Sequence, residues 1–556
     1  MENWVIITKG ADFRKIGQTF GISPVTARLI RNRDILGDDA IRDYLYGDPT
    51  ELPDPSLMKD MDRTVRILKE KIAGGALIRV VGDYDIDGVM ASYILKRGLS
   101  GLGARIDVTL PHRVRDGYGI SERIIEEAYR DQVDTIITCD NGISAGPVIQ
   151  KAKDLGMTVL VTDHHNVNAD AMPKADACID PKQTDCAYPF KELCGAGIAW
   201  RLISLMDPSQ GEELLPFAAF ATIGDIVSLR DDNRKIVKKG LELLRNTDNP
   251  GLRALMEVNT LSQTDLSAYH IGFVLGPCIN AAGRLDSALL AEALLEAEDD
   301  ESALRLALQL KDLNDRRKTL TEQGTALAES QLESRELADQ KVYVIYLPSV
   351  HESVVGIIAG RICEKYHRPT IILTDSGSYL KGSGRSVEGY HMFDALKSCE
   401  DILVKFGGHP MAAGVTLEAD KLEELRTRLN AFCTMSEQEL AGKVRIDMEL
   451  SMSYVTEDLL EEWQLLEPYG QDNPEPVFAL RNVCAEKTSL VGKEGNVLRM
   501  TLVQEDGYRF SAVAFKQARE LLERIRADRH LTILYYPTVN EFRGERTIQA
   551  VVTGFR

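Results

Sequence analysis

Acidic and imidazole side chains gather in four short clusters of this chain: Gly82-Asp83-Tyr84-Asp85-Ile86-Asp87-Gly88, Cys139-Asp140-Asn141-Gly142, Thr162-Asp163-His164-His165 and Gly224-Asp225. Carboxylates are the ligands that Mg²⁺ and Mn²⁺ select, and imidazole shifts the preference towards Mn²⁺. A carboxylate placed between two such cations can bridge them at roughly 3.5–4 Å. The Asp-x-Asp spacing of Asp85 and Asp87 lets both side chains face one site from a single turn. Gly88 permits a tight backbone there and opens a helix whose N-terminus favours anions. A fifth cluster, Gly407-Gly408-His409, is a Gly-rich turn suited to a phosphate. Each cluster alone has a plainer reading as a helix cap, a β-turn or a packed histidine pair. Their coincidence points to a two-metal phosphoesterase.

The surrounding pattern supplies a frame. Leu77 to Val81, Arg105 to Leu110, Thr135 to Thr138 and Thr158 to Val161 read as strands. Val89 to Leu99, Ser121 to Arg130 and Gly146 to Leu155 read as the helices between them, an alternation expected of a doubly wound parallel sheet in an α/β fold. Asp85 and Asp87, Asp140, and His164 each follow such a strand, and ligands of open α/β sheets bind beyond the carboxyl ends of the strands. Pro216 to Ala293 reads as mainly helical and carries Asp225. Ser302 to about Asp339 reads as one long connecting helix with a stripe of Leu306, Leu310, Leu313, Leu320, Leu327 and Leu332. A second α/β unit follows, with strands at Val342 to Tyr346 and Thr370 to Thr374. Beyond Val444, strands at Leu498 to Leu502, Phe510 to Phe515, Thr532 to Tyr536 and Thr547 to Val552, with a helix near Gln517 to Arg526, suit a small barrel of the OB type. The expected division is a helical lead-in over 1–60, a catalytic domain over 61–300, the connecting helix over 301–340, a second domain over 341–435 and the barrel over 444–556.

The totals agree with a multidomain globular chain: 556 residues exceed what a single core supports. No apolar run is long enough to span a bilayer, and the N-terminus lacks the layout of a signal peptide, so a cytoplasmic location and no membrane partner are expected. Nine cysteines without a C-x-x-C pair are not a disulfide framework, and the evenly spaced Cys178, Cys186 and Cys194 read as buried thiols. A net charge of −19 argues against a general nucleic-acid-coating surface, although bound metals reverse the sign locally.

Asp163-His164-His165 resembles the signature of the DHH phosphoesterase superfamily, and Gly407-Gly408-His409-Pro410-Met411-Ala412-Ala413-Gly414 resembles the motif of its DHHA1 companion domain. Pro111-His112-Arg113 with Asp116-Gly117-Tyr118-Gly119, Asn280-Ala281-Ala282-Gly283-Arg284-Leu285-Asp286, Val355-Gly356-Ile357-Ile358-Ala359-Gly360-Arg361 and Gly382-Ser383-Gly384-Arg385-Ser386 resemble the RecJ family. The resemblance runs from about residue 60 to the C-terminus. It implies 5′-to-3′ hydrolysis of single-stranded DNA to nucleoside 5′-monophosphates, in repair and recombination, with two Mn²⁺ or Mg²⁺ ions per site. It further implies Asp85, Asp87, Asp140, His164 and Asp225 as metal ligands, with Asp140 bridging, and His165 close to the scissile phosphate. Asp83 and Asp163 would orient those groups. Arg113, Ser383 and Arg385 match a pocket for the substrate's 5′-phosphate. Gly407, Gly408 and His409 match a contact to the nucleotide phosphate, with Arg284 facing the same cleft and assisting with His409 in stabilising charge.

One position departs from the superfamily: where many members carry a histidine four residues before the first metal aspartate, this chain has Val81. The first metal site would then rest on Asp85, Asp140 and water, with Asp83 as a further donor, and is expected to be the weaker. In the barrel, Tyr508, Phe510, Tyr535, Tyr536 and Phe542 could stack on bases, but for most of them a core-facing role is the stronger expectation. A phosphodiesterase for short RNA or cyclic dinucleotides is the alternative enzyme, and a catalytically inactive scaffold the alternative of another class. A monomer is the default, with single-strand-binding protein and a helicase left open as partners.

Overall fold

The computed structural model describes residues 3–333, 337, 339–492, 495–542 and 544–556. Strand β1 (Asn3–Ile6) starts the chain, and three helices follow: Phe13–Phe20, Pro24–Asn32 and Asp38–Tyr46. The first sheet is built from β2 (Leu77–Val81), β3 (Arg105–Thr109), β4 (Thr135–Cys139), β5 (Thr158–Thr162) and β6 (Ala177–Ile179), ordered β3-β2-β4-β5-β6. All of its pairings are parallel. The inner strands β2, β4 and β5 are buried along almost their whole length because helices cover both faces. On one side Ile78, Val80 and Ile137 pack with the buried helices Ile86–Gly101, Gly195–Met206 and Pro208–Gly224. On the other, Val81, Ile136 and Val159 pack with Glu122–Arg130 and Gly146–Asp154. The connection from β2 turns to one side and that from β3 to β4 returns past it, which opens a crevice between β2 and β4.

The helix Asp300–Leu332 leaves this domain, and the part of the expected helix at 334–336 and 338 lies outside the described residues. Its buried face combines Leu310, Leu313 and Leu332 of the expected stripe with Ala303, Ala307, Asn314, Thr321, Gly324 and Ala328; Leu306 and Leu320 are half-buried against the cores, and Leu327 alone of the stripe is exposed. Small residues let the helix approach its neighbours closely: a methyl on Gly324 would lie 2.4 Å from Ile358 Cδ1. The second sheet joins β7 (Tyr343–Tyr346), β8 (Thr370–Ser376), β9 (Tyr379–Arg385), β10 (Leu403–Gly408) and β11 (Ala412–Leu417) in the order β10-β11-β9-β8-β7.

After β12 (Lys443–Ile446) and β13 (Met448–Glu449), five strands close a barrel: β14 (Phe478–Val491), β15 (Val497–Val503), β16 (Arg509–Ala514), β17 (His530–Phe542) and β18 (Glu545–Phe555). Closure comes from the β14–β17 pairing. Phe510 and Tyr535 face its core, the Tyr535 hydroxyl donating to Leu450 O at 2.7 Å. Tyr508 is exposed, Tyr536 is half-buried, and the Phe542 side chain lies outside the described residues.

The first 60 residues do more than lead in. Strand β1 pairs with β12 in parallel, and Leu29, Ile30 and Leu45 share one apolar core with Trp463, Phe478 and Tyr535. Trp463 Nε1 donates to Thr26 Oγ1 at 3.0 Å. The fully buried Arg234, on the helix Asp231–Leu244, donates to the carbonyls of Tyr44, Leu465 and Leu466 and so pins the first domain to both chain ends. All of Cys178, Cys186 and Cys194 are buried free thiols. No described helix is long and apolar enough to cross a membrane.

Candidate metal centre

The crevice beyond β2, β4 and β5 collects the acids. The turn after β2 is compact because Gly88 lies against it: a methyl there would sit 2.4 Å from Asp83 N. Asp85 caps the following helix, its Oδ1 accepting from Asp87 N at 3.1 Å and Gly88 N at 3.2 Å. Asp87 is buried and accepts from Gly195 N (2.6 Å) and Ala196 N (2.8 Å) at the start of another helix. Asp140 follows β4 with φ +59°, a left-handed conformation that aims its carboxylate into the crevice. Asp225 caps the C-terminus of the helix Pro208–Gly224.

His164 links these groups. Its Nε2 lies 3.0 Å from Asp140 Oδ1, 3.5 Å from Asp87 Oδ2 and 3.8 Å from Asp225 Oδ2. Three sets have ligand atoms within 4.8 Å of one another: Asp87-His164-Asp225, Asp140-His164-His165 and Asp83-Asp85-Asp140. Asp140 belongs to two of the sets, as does His164. Every aspartate and histidine expected as a ligand therefore falls in one crevice. Asp83, expected to orient the others or to add a donor to the first site, stands at ligand distance beside Asp85 and Asp140. Val81 ends β2, buried, and offers no donor.

The electrostatics match a set of groups that would hold cations. Burial, then the Asp87 and Asp85 charges, push the Asp140 carboxyl well above the usual range, and burial with Asp87 does the same to Asp225. Burial likewise raises Asp87, although the His164 charge opposes it. Burial and Asp85 raise Asp83. One of its oxygens accepts from Gly119 N at 3.1 Å, and the other, Oδ2, is buried without a hydrogen-bond partner. Buried like charges and an orphaned oxygen are costly unless something positive is shared among them. Hard oxygen donors with one or two imidazoles suit Mn²⁺ or Mg²⁺.

His165 is held differently. Its Nδ1 lies 2.7 Å from Asp163 Oδ1, and the Tyr118 hydroxyl is 3.1 Å from Nε2. Burial would lower its pKa, but the bond and charge of Asp163 prevail and raise it. His164 is lowered, chiefly by burial, which favours the neutral, ligating ring.

A second cluster, positive, lies next to the acids. The Arg113 guanidinium stacks 4.8 Å from the Tyr84 ring. Arg284 donates to Ser353 O at 3.1 Å, and burial followed by the Arg113 charge lowers its pKa to about 10. Arg385 donates to Ser383 Oγ (3.0 Å) and Gly384 O (2.9 Å), and burial with Arg113 lowers it too. No ion pair joins any of the three to a carboxylate among the described residues. A methyl on Gly356 would lie 3.1 Å from Ser383 Oγ and 3.2 Å from an Arg385 guanidinium nitrogen, so glycine keeps this pocket open.

Gly407 and Gly408, expected in a turn, instead end β10, paired with Gly414 and Ala413, and His409 opens the turn to β11, which is locked by the bond from His409 N to Ala412 O at 2.7 Å. Gly408 has φ +145°, and a methyl there would meet Ala412 O at 2.4 Å. The turn neighbours the arginine pocket, since Ala412 pairs with Arg385 and Gly414 with Ser383. His409 itself is exposed, and no hydrogen bond joins its ring to either cluster among the described residues. Sequence reasoning misses the Tyr118 hydroxyl and the backbone N–H groups of Gly195 and Ala196. The Gly-flanked tyrosine of Gly117-Tyr118-Gly119 is a visible signal for the first; the amides carry none.

Comparison with known proteins fits this geometry. The DHH family N-terminal domain model matches residues 77–224, the DHHA1 domain model 339–435 and the RecJ OB domain model 446–554. The single-stranded-DNA-specific exonuclease RecJ of Escherichia coli (strain K12) is 34% identical, the alignment covering 96% of this chain and 95% of that protein. The crystal structure of RecJ in complex with Mn²⁺ from Thermus thermophilus superposes with a TM-score of 0.86 at 28% identity, over 100% of this chain and 79% of that one. The structure of RecJ with Mg²⁺ from the same organism gives 0.79 at 26% identity, over 100% and 78%. The chain belongs to the RecJ family of single-stranded-DNA-specific exonucleases.

Proposed function

We propose that this chain is a metal-dependent exonuclease that degrades single-stranded DNA from its 5′ end to nucleoside 5′-monophosphates, in DNA repair and recombination. The observation that carries the reading is the abutment of two unneutralised clusters, acids able to hold divalent cations and arginines able to hold a phosphate. Asp87, His164 and Asp225 would hold one ion and Asp85, Asp140 and Asp83 another; Asp140, 3.0 Å from His164 Nε2, would be the ligand shared between them. Bound there, two divalent ions supply Lewis-acid polarisation of the phosphodiester and neutralise its charge. Gly195 and Ala196 N–H hold Asp87 in place, and Asp163 fixes the His165 ring beside the crevice. His165, carrying a proton on each ring nitrogen, can donate one towards a departing oxygen.

Arg113, Ser383 and Arg385 would grip the terminal 5′-phosphate, a planar guanidinium fork being suited to two phosphate oxygens. Held there, the first internucleotide linkage lies towards the acids, which gives the direction of digestion. Arg284 faces the same space and adds positive charge where the transition state gains negative charge. Gly407, Gly408 and His409, beside Ser383 and Arg385 in the same sheet, would steady the nucleotide phosphate. The OB-type barrel offers a surface for single strands, as such folds do elsewhere.

End-labelled oligonucleotides test the reading. With Mn²⁺, single strands should release 5′ label as mononucleotide before any 3′ label, duplexes should resist, and chelator should stop the reaction. Early release of 3′ label, or equal digestion of duplex, would overturn it. Turnover confined to dinucleotides would favour the small phosphodiesterases instead.

A further inference from the structure

We propose that the Tyr118 hydroxyl is a positioning group for hydrolysis: it fixes the His165 ring against the Asp140 backbone and ties the Arg113 loop to the metal crevice. The inference rests on the reading above, in which His165 faces the reacting phosphate.

The donor directions leave little choice. The Asp140 carbonyl can only accept, and it lies 2.5 Å from the Tyr118 hydroxyl, so the tyrosine proton points there. The phenolic oxygen then faces the edge of the His165 ring, 3.1 Å from Nε2 and 3.3 Å from Nδ1. Asp163 Oδ1 takes the Nδ1–H at 2.7 Å. Asp163 is itself immobilised: Oδ1 also accepts from His164 N and His165 N, and Oδ2 from Ile143 N. His165 is thus fixed through Nδ1 by Asp163 and braced along its edge by the Tyr118 oxygen.

The backbone that Tyr118 grips is the unusual one. Asp140 has φ +59°, and an aspartate persists there only when its surroundings hold it. Asn141 holds it, with Nδ2 donating to Val81 O at 3.0 Å and Cys139 O at 2.9 Å. That clamp makes the Asp140 carbonyl a fixed anchor for the Tyr118 hydroxyl.

Tyr118 also reaches outward. It sits between Gly117 (φ +81°) and Gly119 (φ +69°), which swing its ring inward from an exposed loop. That ring stands edge-on to Tyr84 (6.3 Å) and to His165 (5.4 Å), and Tyr84 carries Arg113 on its face. One side chain therefore connects the two, its ring leading to the expected end-binding arginine and its hydroxyl to His165.

A purely structural tether would affect folding or binding; a positioning group affects turnover through His165. Full-length protein would be compared as wild type, Tyr118→Phe, His165→Ala and the double variant, each with Mn²⁺ and a 5′-phosphorylated single strand. Tyr118→Phe keeps the ring and its packing. It should lower kcat about 10–100-fold, in the range found when an orienting partner is removed. KM, Mn²⁺ affinity and the unfolding temperature should stay near wild type. In the His165→Ala background the same substitution should cost nothing further, because the group it acts through is gone. Unchanged kcat in Tyr118→Phe beside an impaired His165→Ala would overturn the inference alone. A Tyr118→Phe loss of equal size with and without His165 would overturn it as well. Full activity of His165→Ala would instead remove the reading of His165 on which it rests.

Discussion

The acidic crevice and the arginine pocket are mirror images in electrostatic design. In the first, burial and mutual repulsion push the carboxyls of Asp83, Asp87, Asp140 and Asp225 upward; in the second, burial and repulsion push Arg284 and Arg385 downward. The two lie close enough for Asp85 to act on Arg284, yet no ion pair crosses between them among the described residues. A direct pairing would relieve both clusters and occupy both. Each is relieved only in part by neutral groups, backbone N–H for the acids and carbonyl oxygens and the Tyr84 ring for the arginines. Unrelieved charge of one sign beside unrelieved charge of the other is what a site needs if it is to hold cations and a phosphate together.

The comparison breaks most readily at Asp140. Asp140→Ala removes the acid shared between two ligand sets, and single-turnover digestion should slow on the order of 10³-fold or more. Retained turnover would end the shared-ligand role. Arg385→Ala breaks the other half: rates on 5′-phosphorylated strands should fall about 10–100-fold towards those on 5′-hydroxyl strands, an effect of about 1.4–2.8 kcal/mol.

Smaller effects sharpen it. If cations relieve the acids, Mn²⁺ at 100 times its dissociation constant should stabilise the fold by about 2.7 kcal/mol, read as a rise in unfolding temperature. The arginine variant should keep that rise. Asp180 supplies a control outside every ligand set. Burial raises its carboxyl to about 7, and its Oδ2 has no hydrogen-bond partner. A folded pKa above the unfolded value near ~3.9 means that its stabilising contribution is complete below pH ~4 and is lost as pH rises towards 7. Asp180→Asn should therefore raise the unfolding temperature at pH 8 and change it little at pH 4, with or without Mn²⁺. A gain that Mn²⁺ abolishes would place Asp180 among the ligands.

Much of this is legible in the sequence because the chemistry is carried by residue types at strand ends. Alternating apolar runs and helical stretches place β2, β4 and β5 within a residue of their observed ends, and the acids follow them directly. Apolar alternation also exposes the barrel. What escapes the sequence is contact between segments far apart in it. Nothing in the first 60 residues announces that Leu29 and Leu45 complete a core with Phe478 and Tyr535, more than 400 residues away. On the long helix the leucine stripe is legible except at Leu327, whereas the small residues that share its packed face, Ala303, Ala307, Gly324 and Ala328, carry no signal that they permit close approach. Asp83 reads as an orienting group because the spacing of ligand motifs says nothing of a turn that folds back through Gly88.

The division of labour between the two clusters can be measured directly. Initial rates on 5′-phosphorylated and 5′-hydroxyl single strands, each across a Mn²⁺ titration, would be compared for wild type, Arg385→Ala and Asp87→Asn. Arg385→Ala should lose the preference for the phosphorylated end and keep its Mn²⁺ dependence; Asp87→Asn should need more Mn²⁺ and keep the preference. If either substitution moved both quantities together, the acids and the arginines would not be separate devices.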